Sequence, residues 1–417
     1  MTSTQTSTQR LLLVGGSTGH LRKAHATGAQ VVWCQQPADI RPEHAELAAE
    51  IIPVDYTDWE QLRPAVLRAH EQAPFAAAVS LTEPGLDPVA LVNDLLGLGG
   101  TSYEVSHLFT DKWLMRERLR EAAATDGSIV VAAALLGDRD SLDAFGTAHG
   151  YPFIVKPTSG TASFGVMKVN SPAELDATWQ EVSRLRDSDH PLIGDYDIDA
   201  FIMEEFVEGT LCSAETFSCD GHHVVMSITE GITDERNHVQ AGHVAPARIT
   251  PEQEAAVHRM ACDFLDAVGL RNGPTHTEFM MSPRGPVIIE SQNRVGGGLI
   301  GKLAEVVYGT DPQLLALTWA LRQVPSLTER AAGNGAAASW IIEAEPGRIQ
   351  EIRGLDEVHA LPSTAAVDLW VGPGDVVRPF KGQWDGLGHV AVRAENADEA
   401  IRVCRKTLGL LQIVTEG

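Results

Sequence analysis

The pattern of apolar and polar positions in the first hundred residues predicts an open α/β domain. Short apolar runs alternate there with amphipathic stretches of helical periodicity. The predicted strands are residues 11–14, 31–34, 51–54 and 76–81, and the predicted helices are 21–28 and 87–96. A glycine-rich turn, 15–20, follows the first strand at the edge where open α/β sheets bind ligands. It lacks the full GxGxxG pattern, so we expect a structural turn or a substrate contact, and not a dinucleotide site.

A helical pattern follows residue 105 and carries Lys112, and Thr110 or Asp111 can cap its start. The chain contains only seven lysines, which makes each of them informative. For Lys112, however, the pattern favours a ligand contact no more than it favours a charge on the helix surface.

A small-residue loop between two strands predicts a flap. The apolar strand 152–156 ends in Lys156, and loop 157–165 separates it from a second strand, 166–169. Backbone N–H groups of such a loop can surround phosphate oxygens. The loop lacks the GKS or GKT ending of a P-loop, which excludes that fold. We therefore interpret Lys156 as a phosphate contact in preference to a strand-end charge.

Residues 275–298 concentrate the candidate chemistry. Two apolar strands flank a turn of serine, proline, arginine and glycine, which predicts a β-hairpin. A turn centred on that arginine places Glu278 opposite Glu290, with Cβ atoms about 5 Å apart. Such a pair either raises one pKa or binds a cation, and Mg²⁺ fits because Gln292 or Asn293 adds an amide oxygen. Two glutamates on a solvated face are the plain alternative, but the strands are mostly apolar.

Further polar residues stand where they can meet a substrate. Arg294 and the glycines 296–298 follow the acidic hairpin, which suits an anion held between a metal and a guanidinium. Glu83 stands just past the fourth strand at a ligand-facing position, although a helix N-terminal charge is the commoner explanation. A polar loop predicted over 231–249 carries His243, and loops of this length often close on substrate.

The same loop also holds His238, but two histidines five residues apart are a weak zinc signal. After residue 335, short strands near 337–343, 366–371 and 389–393 and a helix over 398–408 predict a small α+β lobe. This lobe shows no chemistry of its own.

Composition narrows the class of protein. The 417 residues carry a formal charge of -24, which argues against nucleic acid or an anionic membrane as partner. The five cysteines show no CxxC spacing and are interpreted as reduced thiols. No apolar run approaches the ~20 residues of a membrane span, and no signal core begins the chain. We therefore expect a cytoplasmic protein.

Taken in order, these parts resemble the ATP-grasp superfamily over nearly the whole chain. They are the open α/β domain, the lysine-bearing helix, the flap strand with Lys156, the strand ending in Glu-Glu-Phe-Val at 204–207, and the acidic hairpin ending in Asn293 and Arg294. The segments 345–349, 354–357 and 373–375 are similar to the branch of L-amino-acid ligases that make dipeptides.

The resemblance implies a role for each candidate residue. The phosphates of ATP would be bound by Lys112, Lys156, Ser159, Gly160, Ser163, Phe164 and Gly165, and adenine by a hinge of Glu204, Glu205, Phe206 and Val207. Magnesium ions, or manganese in their place, would be held by Glu278, Glu290 and Gln292 or Asn293. Arg294 would act in catalysis with Lys156, and the substrates would meet Glu83, His243, Arg294, Gly297 and Gly298.

Two positions depart from the family pattern. The family's last motif runs Glu-x-Asn-x-Arg, whereas here Gln292 takes the middle place and Asn293 follows it. Leu211 stands where many relatives have a ribose-binding glutamate, for which Glu208 or Glu215 can substitute.

The sequence thus predicts a multidomain protein of α/β and α+β type. We expect an open α/β pre-ATP-grasp domain over 1–104, an ATP-grasp domain over 105–325 with its flap at about 130–208, and a C-terminal α+β lobe over 326–417. The resemblance implies ligation of a carboxylate to an amine, both amino-acid-like, through an acyl phosphate. The alternatives are a carboxylase or purine-pathway ligase of the same superfamily and a nucleotide-binding sensor. A homodimer is compatible with each of them.

Overall fold

The computed structural model describes residues 9–126, 130–161, 163–187, 198–233, 240–380 and 382–416. Its first part is a parallel sheet of order β3-β2-β1-β4 with helices on both faces. The elements are β1 (Arg10–Val14), α1 (Thr18–Ala26), β2 (Gln30–Gln35), β3 (Glu50–Pro53), α2 (Trp59–Gln72), β4 (Ala77–Val79) and α3 (Leu86–Leu96). Leu11 packs toward α1 and Leu12 toward α2 and α3, because successive strand residues point to opposite faces. The predicted open α/β fold is confirmed.

The second part carries the flap on an antiparallel sheet of order β5-β8-β6-β7. Its elements are α4 (Tyr103–Thr110), α5 (Lys112–Asp126), β5 (Ala133–Leu135), α6 (Arg139–His149), β6 (Phe153–Pro157), β7 (Met167–Val169), α7 (Leu175–Arg186) and β8 (Phe201–Glu205). The helical pattern after residue 105 is two helices and not one. Asp111 leaves the helical region and caps α5, since its Oδ1 accepts from the backbone N–H of Trp113 at 2.7 Å.

An eight-stranded antiparallel sheet of order β13-β12-β9-β10-β11-β14-β18-β16 dominates the rest. It begins with β9 (Thr210–Cys219), β10 (His222–Thr233), β11 (Gln240–Ala245), α8 (Pro251–Val268), β12 (Gly273–Ser282), β13 (Gly285–Gln292), α9 (Ile300–Tyr308) and α10 (Pro312–Ala320). The predicted loop over 231–249 is wrong for much of its described part, because β10 runs to Thr233 and β11 pairs with both β10 and β14. Residues 234–239, with His238, lie outside the described residues.

The C-terminal part extends the same sheet. Its elements are β14 (Ala336–Ile341), β15 (Gly347–Arg353), α11 (Leu355–Ala360), β16 (Thr364–Leu369), β17 (Val376–Val377), β18 (Gly388–Ala394), α12 (Ala397–Leu408) and β19 (Gln412–Glu416). Strands β14, β18 and β16 continue the large sheet, while β17, β15 and β19 form a small sheet of their own. The sheet thus runs across the predicted boundary at residue 325, and the domain limits stay a prediction.

The candidate site lies where the flap sheet meets the β12–β13 end of the large sheet, with α5 between them. The N-terminal sheet reaches the same place through the turn that follows β4. Within the described residues we find no helix with the length and apolarity needed to cross a membrane.

Candidate active site

The two candidate metal ligands face each other on the β12–β13 hairpin, as the sequence predicts. Glu278 pairs with Glu290 in the antiparallel ladder. The turn is placed differently from the prediction, since Ser282 pairs with Gly285, and counting from that turn would put Ile289 opposite Glu278. The ladder skips Ile289 at a β-bulge, which restores the register. The bulge therefore sets both carboxylates on one side of the hairpin.

Glu290 lies between an amide and an ammonium group. Gln292 Nε2 donates to Glu290 Oε1 at 3.0 Å, and Lys112 Nζ lies 3.4 Å from the other oxygen. Burial would raise the pKa of Glu290, but the charges of Lys112 and Lys156 outweigh burial and hold that pKa below its ordinary value. Glu290 is therefore an ionised carboxylate at neutral pH.

The structure distinguishes the two amides that the sequence offered as metal ligands. Gln292 contacts Glu290, whereas Asn293 turns away and donates from Nδ2 to Ser106 Oγ at 3.3 Å. The Oε1 atom of Gln292 is buried and has no hydrogen-bond partner among the described residues. A buried amide oxygen without a donor is available to a cation.

Glu278 is held by a buried histidine that the sequence analysis did not single out. His276 Nε2 lies 3.2 Å from Glu278 Oε1, and its Nδ1 lies 2.6 Å from Glu215 Oε1. Burial would lower the pKa of His276, but Glu215 and Glu278 outweigh burial and raise it to about 10. Glu215 is therefore paired with an imidazolium.

These groups fit a magnesium ion. Two carboxylates and an amide oxygen are hard ligands of the kind that Mg²⁺ prefers. No group of three or more His, Cys, Asp or Glu side chains could enclose a metal ion within the described part of the chain. Such an open set suits Mg²⁺, which usually completes its octahedron with waters and phosphate oxygens.

Lys156 forms a buried ion pair at the root of the flap. Its Nζ lies 2.7 Å from Glu204 Oε2, and Arg116 Nε donates to the other oxygen at 2.6 Å. Burial would raise the pKa of Glu204, but Arg116 and Lys156 outweigh burial and lower it to about 2. Burial lowers the pKa of Lys156. The attraction of Glu204 does not cancel this effect, because the positive charges of Arg116 and Lys112 oppose it. The carboxylate of Glu204 thus pairs with two cations, Lys156 and Arg116.

Arg116 is a second residue that the sequence analysis missed. Besides Glu204, its guanidinium donates to the carbonyl oxygens of Ile288, at 2.8 Å, and Ile289. It therefore ties the flap sheet to the bulge beside Glu290. One signal was present in the sequence, since Arg116 lies four residues after Lys112 and shares its helix face.

The flap loop lies over both lysines. Lys112 Nζ donates to the carbonyl of Gly160 at 2.7 Å, and the Lys112 backbone N–H donates to Thr158 at 2.8 Å. A small cleft beneath the loop is lined by Lys112, Lys156, Ser159, Gly160, Ser163, Phe164 and Glu290, among others. Gly165 ends the loop at φ +67°, where an added Cβ would meet Pro157 at 3.0 Å. The predicted phosphate-binding residues are therefore brought together.

The predicted adenine hinge connects β8 to β9. Glu205 is the partly exposed neighbour of Glu204 and pairs with Arg284 at 2.8 Å. Phe206 lies under the ammonium of Lys168, 3.8 Å from the ring centroid, and Val207 is buried. The side chains thus fix the linker in place, and a nucleobase role would fall to its backbone groups.

Arg294 joins three parts of the chain at the substrate side. Its guanidinium donates to Glu83 Oε2 through Nε, at 3.1 Å, and through Nη2. Nη2 also lies 3.3 Å from Thr161 Oγ1 in the flap. Two residues predicted separately as substrate contacts, Glu83 and Arg294, are therefore an ion pair with nearly buried side chains.

The remaining predicted substrate residues lie on the other side of Glu278. His243 lines a small pocket with His276 and Glu278. Burial and the neighbouring His389 and His276 lower the pKa of His243 to about 3, so it is neutral at pH 7. Gly298 has φ +56°, and an added Cβ would lie 3.3 Å from His389 Nε2, whereas Gly297 has open space around it.

Comparison with known proteins identifies related domains along the chain. Three family models match successive parts of the chain: an ATP-grasp N-terminal domain over residues 21–100, an ATP-grasp domain over 149–302 and an L-amino acid ligase C-terminal domain over 339–416. ATP-grasp domains bind ATP together with a divalent metal ion.

Several curated relatives are named as ligases. The chain is 23% identical over 352 residues to the L-arginine-specific L-amino acid ligase of Bacillus subtilis, covering 83% of this chain and 81% of that protein. It is 25% identical over 272 residues to the alanine–anticapsin ligase of Bacillus subtilis strain 168, covering 62% of this chain and 56% of that protein. The chain spans 56% of the length of that ligase and 52% of the length of another curated relative.

The fold is that of a solved relative. The structure superposes on a crystal structure of an L-amino acid ligase from Bacillus licheniformis with a TM-score of 0.83 and 22% identity, covering 99% of this chain and 100% of that one. The chain thus carries the N-terminal and central domains of the ATP-grasp superfamily, and its C-terminal domain is that of the L-amino acid ligases, to which it is similar along its length.

Proposed function

We propose that the protein joins two amino-acid-like substrates by an amide bond, through an acyl phosphate, with release of ADP and phosphate. The observation that carries this proposal is the pairing of Glu278 with Glu290 on one side of a hairpin, with Lys112 beside Glu290. Two carboxylates so placed could hold magnesium against a polyphosphate, and phosphoryl transfer between the substrates then needs no protein nucleophile.

In the first step, a substrate carboxylate attacks the γ-phosphate of ATP. Magnesium, held by Glu278, Glu290 and Gln292, would supply positive charge to the phosphate oxygens. Lys112 and Lys156 bind the phosphates from below the flap, and the flap loop excludes water that would hydrolyse the acyl phosphate.

In the second step, the amine of the other substrate attacks the acyl carbon and phosphate leaves. Arg294 donates to the oxyanion that develops on the acyl group, and Glu83 holds the guanidinium in position. His243 is neutral, and it adds no positive charge beside the incoming amine. Catalysis thus consists of alignment and charge neutralisation.

The proposal is tested by incubating the purified protein with ATP, Mg²⁺ and pools of amino acids, and measuring phosphate release with mass spectra of the products. We expect release that needs two amino acids, and a product whose mass is their sum less water. Phosphate release that depends on bicarbonate would favour a carboxylase instead. ATP binding without release in any pool would favour a nucleotide sensor.

Glu290→Gln is the sharpest variant for the metal site, because it removes the charge and keeps the shape. We expect turnover to fall by a factor of about 100 or more, because the metal would lose a charged ligand that holds it against the phosphates. Glu305→Gln, on the exposed side of α9, is the matched control and should keep turnover. Near wild-type turnover in Glu290→Gln would refute the metal assignment.

A further inference from the structure

A cavity of about 220 Å³ lies outside the site described above, between the N-terminal sheet and the large sheet. Its walls come from β4, α3, the segment 99–101, the start of β12 and α10. Most of the lining side chains are small or apolar. The active site does not use this space, although Asn293 belongs to its wall.

One wall of the cavity is the open edge of a strand. Strand β4 stands at the end of its sheet, with β1 as its neighbour. The Ala76 N–H donates to the Arg10 carbonyl at 2.8 Å. Alternate residues of a parallel strand turn their N–H and C=O groups to the same side, so Ala77 and Val79 turn theirs away from β1. Residues 76–80 all line the cavity, consecutively and not alternately, which is the pattern of a strand seen edge-on.

Two asparagines in the cavity wall hold buried amide groups. Oδ1 of Asn93 and Oδ1 of Asn293 are buried, and neither has a hydrogen-bond partner within the described part of the chain. The amide nitrogen of Asn93 donates to the Thr101 carbonyl at 3.2 Å, and that of Asn293 donates to Ser106 Oγ at 3.3 Å. Because neither oxygen is exposed to the cavity, hydrogen bonds to a ligand would come from the edge of β4.

Charge excludes many other ligands. No aspartate or glutamate is among the described residues that line the cavity. Its one basic residue, Arg322, already pairs with Asp220 at 3.2 Å on the exposed rim. The volume lies below the roughly 300–1,000 Å³ of pockets for drug-sized ligands. The interior of the cavity is therefore suited to the uncharged amide groups of a small molecule, and charged ends of that molecule would lie at the rim beside Arg322.

We propose that this cavity binds a short peptide of dipeptide size, whose backbone lies along the edge of β4. Its amide groups would pair with Ala77 and Val79 as an added strand does, and small side chains would pack against the alanines and Trp319. Because Asn293 lies between Gln292 and Arg294, a bound peptide adjoins the active site and slows turnover. The identification with a dipeptide rests on the proposed ligase function, while the recognition of an amide backbone does not.

The test uses N-acetyl-L-alanine methylamide, an uncharged molecule with two secondary amides, titrated calorimetrically into the full chain with saturating ADP and Mg²⁺. We expect one molecule to bind per chain. Ala320→Leu adds volume to the cavity wall on α10 and should weaken binding by about tenfold or more. Ala26→Leu, on the exposed end of α1, should bind as the wild type does. If Ala320→Leu melts early, Ala316→Leu on the same helix replaces it.

Several results would overturn the proposal. One is no binding of the probe at millimolar concentration, and another is binding of the probe to Ala320→Leu and Ala316→Leu as tightly as to the wild type. Binding of L-alanine, which lacks the secondary amides, with the same affinity would also contradict the proposal. Ligase turnover, measured on the same wild-type sample, separates the two proposals. Probe binding without turnover supports the cavity and contradicts the ligase, while turnover without probe binding contradicts the cavity alone.

Discussion

At the scale of single residues, Glu204 shows how burial and charge oppose each other in the nucleotide cleft. A buried carboxylate without partners would stay protonated at neutral pH. Arg116 and Lys156 both lie within 2.7 Å of its oxygens and reverse that effect. Removing one member of such a buried group leaves the others without counter-charge, which costs more than the pair itself contributes.

Glu204→Gln tests this balance through the pH dependence of stability. The pKa of Glu204 in the folded chain, about 2, lies below its ordinary value of 4.5. The ionised carboxylate therefore stabilises the fold fully above pH 4.5, and this contribution is lost as the pH falls toward 2. We expect Glu204→Gln to lower the free energy of unfolding at pH 7 by about 3 kcal/mol and to flatten its decline in acid.

Urea unfolding at a series of pH values from 7 to 3 measures both effects. Glu121→Gln, on the exposed face of α5, is the control and should shift stability by less than about 0.5 kcal/mol. Parallel pH profiles for Glu204→Gln and the wild type would contradict the assignment of an ionised Glu204.

At the scale of elements, the bulge in β13 decides which residues face the cleft. The side chains of a strand alternate between its two faces, so a slip of one residue would turn Glu290 away from Glu278. The bulge carbonyls of Ile288 and Ile289 accept from Arg116 on α5. The helix, the flap sheet and the hairpin are therefore coupled through one guanidinium.

Substitutions of Arg116 test that coupling. Arg116→Met leaves two buried carbonyls without their donor and Glu204 without one cation, and we expect it to lose about 3–5 kcal/mol of stability. Arg116→Lys keeps the charge but cannot make the same set of bonds, so we expect a raised KM for ATP with a smaller loss of stability.

Steady-state kinetics and urea unfolding of both variants give these values. Arg120→Met is the control, because Arg120 lies on the same helix and is largely exposed. A KM for ATP that is unchanged in Arg116→Lys would show that the guanidinium bonds do not orient the site.

Local sequence pattern was sufficient for much of the fold and of the candidate site. The apolar strands, the flap and the hairpin follow from periodicity and turn residues within a few positions. Glu278 and Glu290 were paired correctly although the turn was misplaced, because the bulge at Ile289 compensates for the error. A bulge depends on contacts from a distant helix, here through Arg116, and no local pattern indicates it.

The failures share one physical cause, which is dependence on partners far along the chain. Strand β11 forms because β14, from the C-terminal part, pairs with it. His276 is a site residue because Glu215, on the neighbouring strand β9, lies against it. The pairing of β14 with β11, which joins the C-terminal strands to the large sheet, likewise has no signal in the local sequence. Propensity within a window cannot report such pairings.

At the scale of the whole molecule, the N-terminal domain closes the site through ion pairs. Glu83, after β4, meets Arg294, after β13, and both side chains are nearly buried. A second pair, Lys23 with Asp311, lies at the interface of α1 and α10 and is more exposed. We propose that the first pair both holds the domains together and positions Arg294 for catalysis, whereas the second pair only supports the domain contact.

Glu83→Gln and Lys23→Met separate these two roles. Glu83→Gln leaves the guanidinium of Arg294 without its counter-charge, so we expect stability to fall by about 3 kcal/mol and kcat to fall with little change in the KM for ATP. Lys23→Met should cost at most about 1 kcal/mol and leave kcat unchanged. Equal effects of the two variants on kcat would contradict a catalytic role for the buried pair.

The central claim is that a substrate carboxylate is activated by phosphoryl transfer, and isotope transfer tests it most directly. The enzyme is supplied with ATP, Mg²⁺ and an amino acid pair that supports turnover, with ¹⁸O in both carboxylates. The mass of the released phosphate is then measured. An acyl phosphate places one carboxylate oxygen in each released phosphate, so we expect phosphate that carries one ¹⁸O. Unlabelled phosphate, or release of AMP and pyrophosphate, would contradict it.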